Sequence, residues 1–166
     1  MHFEIEQLVQ APPDVVAQTY ADPDFYVAMA AIPELGVQEV LEHRGPDGEG
    51  AVEVAVRLAF TGTVSGAAAK FVDPDKLTWV TRTTLRPVEL TMTFVMEPDH
   101  YQDRLVCSGA YRFEPAGEVT RMVVEGELAV HVPFVGRAAE RAIVDGFGRH
   151  ISDEAALVEE WAVPPA

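Results

Sequence analysis

The sequence predicts an α+β domain in which one long C-terminal helix covers an antiparallel sheet. Three observations carry this prediction: a strand followed by two short helices, a central region with a two-residue apolar period, and a final segment with helical period. The chain has 166 residues, enough for one domain to bury a substantial core, and no repeat or linker divides it. We therefore expect a single domain over residues 1–166.

The N-terminal part of the chain predicts one strand and two short helices. Residues 2–9 alternate polar and apolar side chains, as a half-buried strand does. Pro12 and Pro13 suit a first helical turn, because proline lacks the N–H that this turn leaves unpaired. A second short helix is expected from about Asp24 to Ala31, where the following proline stops it.

The central region predicts strands joined as hairpins, a meander. Turn sequences rich in glycine, proline and aspartate separate segments with a two-residue period. In one of these segments alternation places five apolar side chains on one face, namely Val88, Leu90, Met92, Phe94 and Met96. Residues 61–76 have no clear period and fit either a helical turn or an irregular strand with a loop. The predicted strands cover residues 36–44, 51–60, 77–83, 88–97, 104–113 and 119–132.

After Pro133 the pattern predicts one amphipathic helix of about 28 residues. Gly146 and Gly148 lie in its middle, where each glycine costs about 1 kcal/mol relative to alanine. Small residues there permit a kink, close approach to the sheet, or open space. The apolar stripe consists of Val135, Ala139, Ala142, Ile143, Phe147, Ile151, Ala155, Val158 and Trp161.

Composition and charge exclude several classes of function. The net charge of −15, from 27 acidic and 12 basic residues, repels phosphate backbones and anionic headgroups, so we expect no nucleic-acid partner and no membrane insertion. No apolar run approaches the ~20 residues that cross a bilayer, and the N-terminus does not resemble a signal peptide. We therefore expect a soluble, cytoplasmic protein. The single cysteine, Cys107, excludes an internal disulfide and predicts a small buried hydrophobe.

No pattern of catalytic or metal-ligating residues is present, so we expect no metal and no cofactor, and the sequence favours a protein that is not an enzyme. None of the five histidines pairs with another at ligand spacing. His150 is the most interesting, because it lies beside the helix stripe near Gly146; its ordinary interpretation is a hydrogen-bonded or hydrated histidine at the edge of that stripe. Glu125 and Glu127 share a strand face with Arg121, which is typical of a solvated sheet surface with weak ion pairs.

Three segments, in this order and spacing, resemble members of the helix-grip superfamily, which includes START lipid-transfer domains, birch-pollen-type allergens and polyketide cyclases. They are APPDVVAQTYADPDFY (11–26), PAGEVTRMVVEGEL (115–128) and VPFVGRAAERAI (132–143). The third resembles the start of the last helix in a bacterial family of unknown function. The resemblance implies a curved sheet of about seven strands, in the order β-α-α-β6-α, wrapped around the C-terminal helix. It also implies a cavity that holds lipids, sterols or polyketides in many relatives, although a fold does not decide a function.

The apolar inner surface is the predicted ligand-binding site. Flexible methionines and aromatic rings line such pockets, although the same residues also describe a solid core; the resemblance favours a cavity. The residues expected to line it are Val54, Val56, Leu58, Phe60, Trp79, Leu90, Met92, Phe94, Tyr111, Met122, Val124, Ile143, Phe147, His150 and Ile151.

Three functional hypotheses follow. The first is a non-catalytic binder of a small hydrophobic molecule such as a lipid, sterol or polyketide. The second is a polyketide cyclase or dehydratase type of enzyme, which requires polar side chains that converge in the cavity and a titratable group shifted by burial. The third is an interaction module or homodimer that uses a sheet edge or the helix end around Trp161.

Overall fold

A computed structural model describes residues 1–33, 35–61 and 73–162 of the chain. It has the predicted order of elements, one strand, two short helices, six strands and a long helix. The elements are β1 (His2–Val9), α1 (Pro13–Ala21), α2 (Pro23–Ala28) with a 3₁₀ turn (Met29–Ala31), β2 (Leu35–Arg44), β3 (Val52–Phe60), a 3₁₀ turn (Pro74–Lys76), β4 (Thr78–Arg86), β5 (Thr91–Pro98), β6 (Leu105–Ala116), β7 (Val119–Val130) and α3 (Gly136–Ala162).

The seven strands form one antiparallel sheet in the order β1-β7-β6-β5-β4-β3-β2. Strands β2 to β7 follow one another as hairpins, which confirms the predicted meander. Strand β1 returns to the far edge and pairs with β7, from His2 opposite Glu127 to Val9 opposite Thr120. The N-terminal segment therefore brings the two short helices that follow it to the same face of the sheet as α3, where α1 contacts α3.

Two glycines lie side by side near the middle of the sheet and bring aromatic rings close to its backbone. Gly109 on β6 pairs with Gly126 on β7. A Cβ atom at Gly109 would lie 2.8 Å from ring atoms of Phe94, and one at Gly126 would lie 2.8 Å from the ring of Phe3. The rings of Phe94 and Phe3 thus occupy the space that side chains would fill, and Phe147 of α3 packs against both rings.

Strand β5 is shorter than the sequence pattern predicts. It begins at Thr91, and Val88 lies in the preceding turn with 92% of its surface exposed. The prediction that Val88 and Leu90 belong to the inner face of a strand is wrong, because Pro87 starts a turn in which Leu90 adopts a φ of 56°. Leu90 is half-buried, and its carbonyl accepts a hydrogen bond from Phe113 N–H at 2.9 Å. Of the segment 61–76 without a clear period, residues 62–72 lie outside the described residues.

Helix α3 is buried unevenly along its length. Its fully buried side chains beyond the first turn all lie in the second half, from His150 and Ile151 to Val158. None of the residues 137–149 is fully buried, and Ala142 and Ile143 are exposed. The predicted stripe is therefore correct for Ile151, Ala155 and Val158, whereas it is too wide in the first half and its last member, Trp161, is 36% exposed. No helix in the described part of the chain is long and apolar enough to cross a membrane.

Candidate functional site

A buried polar cluster lies where α3 crosses α1 and the inner face of the sheet. Glu154 of α3 is only 2% exposed, and its carboxylate accepts a short hydrogen bond from the hydroxyl of Tyr20 on α1. Nε2 of His150, one turn earlier on α3, lies 3.2 Å from the other carboxylate oxygen. The Tyr20 hydroxyl is also 3.4 Å from the sulfur of Met122 on β7. Through Glu154 and Tyr20, polar contacts thus connect α3, α1 and β7 in the interior of the protein.

Burial and the charge of Glu154 act on the tyrosines around this carboxylate. The pKa of Tyr20 is well above its ordinary value because the ring is buried, and the Glu154 charge raises it further. The same two causes, in the same order, raise the pKa of Tyr111 on β6. Burial raises the pKa of Tyr26 as well. These three side chains, called the buried tyrosines below, therefore keep their hydroxyl hydrogens at neutral pH and serve as donors.

Local sequence fixes the positions of Tyr20 and Tyr26 on the two short helices. Pro13 starts α1 and Pro23 starts α2, and the carboxylate of Asp22 accepts from Asp24 N–H at 2.9 Å to cap α2. The Tyr26 hydroxyl then donates to the Tyr20 carbonyl at 3.0 Å. This bond holds the two short helices at a fixed angle, so Tyr20 reaches Glu154 from the last turn of α1.

One nitrogen of the cluster has no partner. Nδ1 of His150 is buried and makes no hydrogen bond, although Nε2 of the same ring contacts Glu154. The ring of Phe147 stacks on the imidazole, with centroids 6.3 Å apart and an interplanar angle of 15°. A buried polar atom without a partner costs about 1–3 kcal/mol, a cost that a hydrogen bond to this nitrogen would remove.

The structure brings some of the predicted cavity residues into this cluster and places others apart from it. The cluster around Tyr20 and Glu154 includes Met122 and His150, and Tyr111 is close enough for the Glu154 charge to affect it. A different part of the sheet contains Leu58 and Trp79, which pair near the end of β3 and the start of β4. Phe60, Leu90 and Phe147 are half-buried, and Ile143 is 39% exposed. The fully buried residues of the predicted set are Val54, Val56, Leu58, Trp79, Met92, Phe94, Tyr111, Met122, Val124, His150 and Ile151. That these residues line a ligand cavity stays a prediction.

The sequence prediction missed Glu154, Tyr20 and Tyr26. A charged helical residue is usually solvated, and nothing in its residue type marks Glu154 as buried. A signal was present, since Glu154 is four residues after His150 and three after Ile151, within the apolar arc of α3. Tyr20 stood at helical spacing on α1, but only the tertiary structure brings it to the carboxylate.

Two open clefts lie beside the segment that joins β7 to α3. Their volumes are about 450 and 350 Å³, and Val132 and Phe134 line both. Glu140 lies at the smaller cleft, where its side chain accepts a hydrogen bond from Val130 N–H at 3.0 Å and so caps the end of β7. Neither cleft is lined by a predicted cavity residue.

Metal or thiol chemistry has little support in the described residues. They contain no group of three or more histidine, cysteine, aspartate or glutamate side chains placed to hold a metal ion. Cys107 is buried, and burial raises the pKa of its thiol to about 11, which keeps it in the unreactive protonated form.

A seven-stranded curved antiparallel sheet with one long C-terminal helix across it defines a helix-grip protein, and solved structures agree. The chain is similar to TTHA0849 from Thermus thermophilus, with a TM-score of 0.67, 17% identity and coverage of 98% of this chain and 97% of that chain. It is also similar to the Zhui aromatase/cyclase from Streptomyces sp. R1128, with a TM-score of 0.63, 19% identity and coverage of 96% and 92%. A third similar structure is norcoclaurine synthase from Thalictrum flavum in complex with dopamine and hydroxybenzaldehyde, with a TM-score of 0.66, 14% identity and coverage of 99% and 89%. At these identities the likeness shows the fold.

The sequence places the chain within this class. Residues 4–162 match the family described as "Protein of unknown function (DUF2505)", and the chain belongs to that family. No curated protein matches the sequence. The predicted resemblance to the helix-grip superfamily, and to a bacterial family of unknown function in it, is confirmed.

The chemistry available in the cluster is hydrogen bonding and proton transfer. Tyrosine hydroxyls donate, the Glu154 carboxylate accepts, and His150 supplies an imidazole, a group that carries protons in many enzymes. Aromatic and aliphatic side chains surround the cluster, so a polar group of a ligand would meet it in an environment with little water.

Proposed function

We propose that the protein binds a small, largely apolar molecule between the sheet and the first half of α3. The observation that carries this proposal is the uneven burial of α3: the helix is fixed to the core from His150 onward, while residues 137–149 contain no fully buried side chain. Elements with few buried contacts open at low cost in free energy. The first half of α3 is therefore the part of the cover that moves most easily to admit a ligand.

The glycines in α3 support this route of entry. A Cβ atom at Gly148 would meet nothing within 4 Å, and one at Gly146 would meet only the end of the Arg149 side chain at 3.6 Å. Close packing therefore does not require either glycine, although each weakens the helix by about 1 kcal/mol relative to alanine. They flank Phe147, whose ring contacts Phe3 and Phe94 above the sheet. Local loosening of the helix would let this ring swing away from the sheet.

Uptake of an uncharged fluorescent probe, N-phenyl-1-naphthylamine, tests the proposal. We expect a saturable rise in fluorescence and a stabilisation that grows with probe concentration, about 2.7 kcal/mol at 100 times the Kd. Gly146→Ala combined with Gly148→Ala should slow uptake, and Phe147→Ala should speed it. Gly48→Ala is the matched control, since a Cβ there also meets nothing within 4 Å and lies far from α3 in sequence.

Two results would oppose the proposal. One is uptake that does not saturate, and the other is a rate of uptake that the glycine substitutions in α3 leave unchanged. Native mass spectrometry of protein purified from its source then identifies the bound molecule by its mass. A lipid, a sterol or a polyketide-like compound fits the apolar walls, and its mass would separate these classes.

An acid–base enzyme of the polyketide cyclase or dehydratase type is the second candidate. Its support is the convergence of Tyr20, Glu154 and His150 in the interior, with the pKa of Tyr20 raised by burial. Turnover of a bound polyketide-like substrate that falls at least a hundredfold in a folded His150→Phe variant would favour the enzyme. If His150→Phe and Tyr111→Phe both keep the turnover of the unmodified protein, the result counts against the enzyme.

An interaction module or homodimer is the third candidate, and it predicts a sedimentation coefficient that rises with protein concentration. A monomeric carrier predicts a constant coefficient over the same range. The cytoplasmic location expected from the N-terminal sequence stays a prediction.

A further inference from the structure

The polar end of the proposed ligand site can be assigned from one unpartnered atom. Among the buried side-chain nitrogens and oxygens of the described residues, only Nε of Arg57 and Nδ1 of His150 make no hydrogen bond. Arg57 is a partly exposed residue whose guanidinium pairs with Asp99 at 3.2 Å, so it belongs to a surface ion pair. His150 lies in the interior and is only 6% exposed. Its free nitrogen is the buried polar atom that a ligand entering under α3 would meet.

Glu154 determines what this nitrogen offers to a ligand. The carboxylate already accepts from the Tyr20 hydroxyl, and Nε2 of His150 is 3.2 Å from its second oxygen. A carboxylate can only accept, so Nε2 carries the hydrogen of this bond. In the neutral imidazole the other nitrogen then has a lone pair and no hydrogen. With the ring neutral, Nδ1 is an acceptor, and the carboxylate one turn further along α3 holds the ring in this tautomer.

The surroundings of Nδ1 determine the rest of the ligand. The ring of Phe147 stacks on the imidazole, and the ring of Phe94 lies against both Phe147 and Tyr111. Flat aromatic surfaces favour a flat apolar partner. The geometry points to a flat, apolar ligand with one hydroxyl group, whose O–H donates a hydrogen bond to Nδ1 of His150. This inference rests on the proposed binding function and names the ligand class of that site.

Two compounds of similar size test the inference, 2-naphthol and 2-methoxynaphthalene, because only the first has a hydroxyl hydrogen. We expect 2-naphthol to bind the protein about tenfold more tightly, as one hydrogen bond to a buried acceptor provides. His150→Phe keeps an aromatic ring of similar size and loses the acceptor, so both compounds should bind this variant with equal affinity. Near-UV circular dichroism checks that the variant is folded.

A measurement on the unmodified protein keeps the inference testable if His150→Phe does not fold. The ¹⁵N chemical shifts of the His150 ring report which nitrogen carries the hydrogen, and we expect Nε2 to carry it. Addition of 2-naphthol should move the Nδ1 shift, and 2-methoxynaphthalene should leave it in place. If both compounds bind equally and the Nδ1 shift does not respond, the inference is overturned while the binding function stands. If neither compound nor the amine probe binds in a saturable way, the binding function itself fails.

Discussion

Replacement of Glu154 by glutamine is the sharpest test of the buried cluster, because it changes hydrogen-bonding capacity and almost no volume. The carboxylate oxygens accept from the Tyr20 hydroxyl and face Nε2 of His150. An amide has one oxygen and one NH₂ group. At least one donor of the cluster would therefore face another donor instead of an acceptor.

The magnitude follows from the burial of these groups. Glu154 is 2% exposed, so water cannot replace the lost acceptor. An unsatisfied buried donor costs about 1–3 kcal/mol, and the hydrogen bonds that remain lose the strength that an ionised acceptor gives them. We expect Glu154→Gln to lower the free energy of unfolding by about 2–4 kcal/mol.

Urea unfolding followed by far-UV circular dichroism measures this change, and Glu160→Gln is the matched control. Glu160 lies on the same helix and is exposed, so its substitution should change the free energy of unfolding by no more than about 0.5 kcal/mol. If the two variants differ from each other by less than about 0.5 kcal/mol, the carboxylate of Glu154 is not the acceptor that holds the cluster, and the argument for the tautomer of His150 fails with it.

Two further predictions concern pH and the sheet. The pKa values of the buried tyrosines and of Cys107 are raised in the folded state. As pH rises, the unfolded chain therefore releases these protons before the folded protein does. The stabilisation is complete below about pH 8.5 and decreases at higher pH. Each group contributes a slope of up to about 1.4 kcal/mol per pH unit. In Tyr101→Phe, which removes the half-buried fourth tyrosine, tyrosinate absorbance should rise together with the loss of the near-UV circular dichroism signal, and a rise well before unfolding would contradict the burial. Gly126→Ala should destabilise the protein by at least about 2 kcal/mol in urea, because its Cβ would lie 2.5 Å from the backbone oxygen of Ser108 and 2.8 Å from the ring of Phe3. Gly48→Ala, with open space around it, serves as control.

The sequence predicted the fold well because the fold rests on local signals. Two-residue periods and turn residues gave the hairpins, and the three-to-four spacing gave α3. The error at Val88 and Leu90 has a local cause as well: alternation continued through a turn, and nothing in the period revealed the left-handed backbone at Leu90. Periodicity reports which side chains alternate and is insensitive to where pairing begins.

The candidate site was predicted only in part, because it depends on contacts between distant segments. Its place beside the stripe makes His150 a candidate, whereas its partner Glu154 is not among the predicted site residues. Tyr20 is far from Glu154 in the chain, and the two meet only because β1 crosses to β7 and brings α1 against α3. This contact follows from the topology of the sheet, and a local sequence pattern does not reveal it.

Two features of α3 reduce stability, and they lie next to each other. Gly146 and Gly148 weaken the helix where no neighbour requires a glycine, and the cluster around Glu154 buries a charge that apolar side chains of similar volume would often replace without loss. A helix that served only to close the core would contain neither. Between the two features lie Phe147, half-buried over the sheet, and His150, whose Nδ1 has no partner. Two glycines, a half-buried ring and a nitrogen without a hydrogen-bond partner lie in consecutive turns, as the proposed entry and capture of a ligand would require. The combination therefore argues for a binding role of this segment more strongly than any one of its residues does.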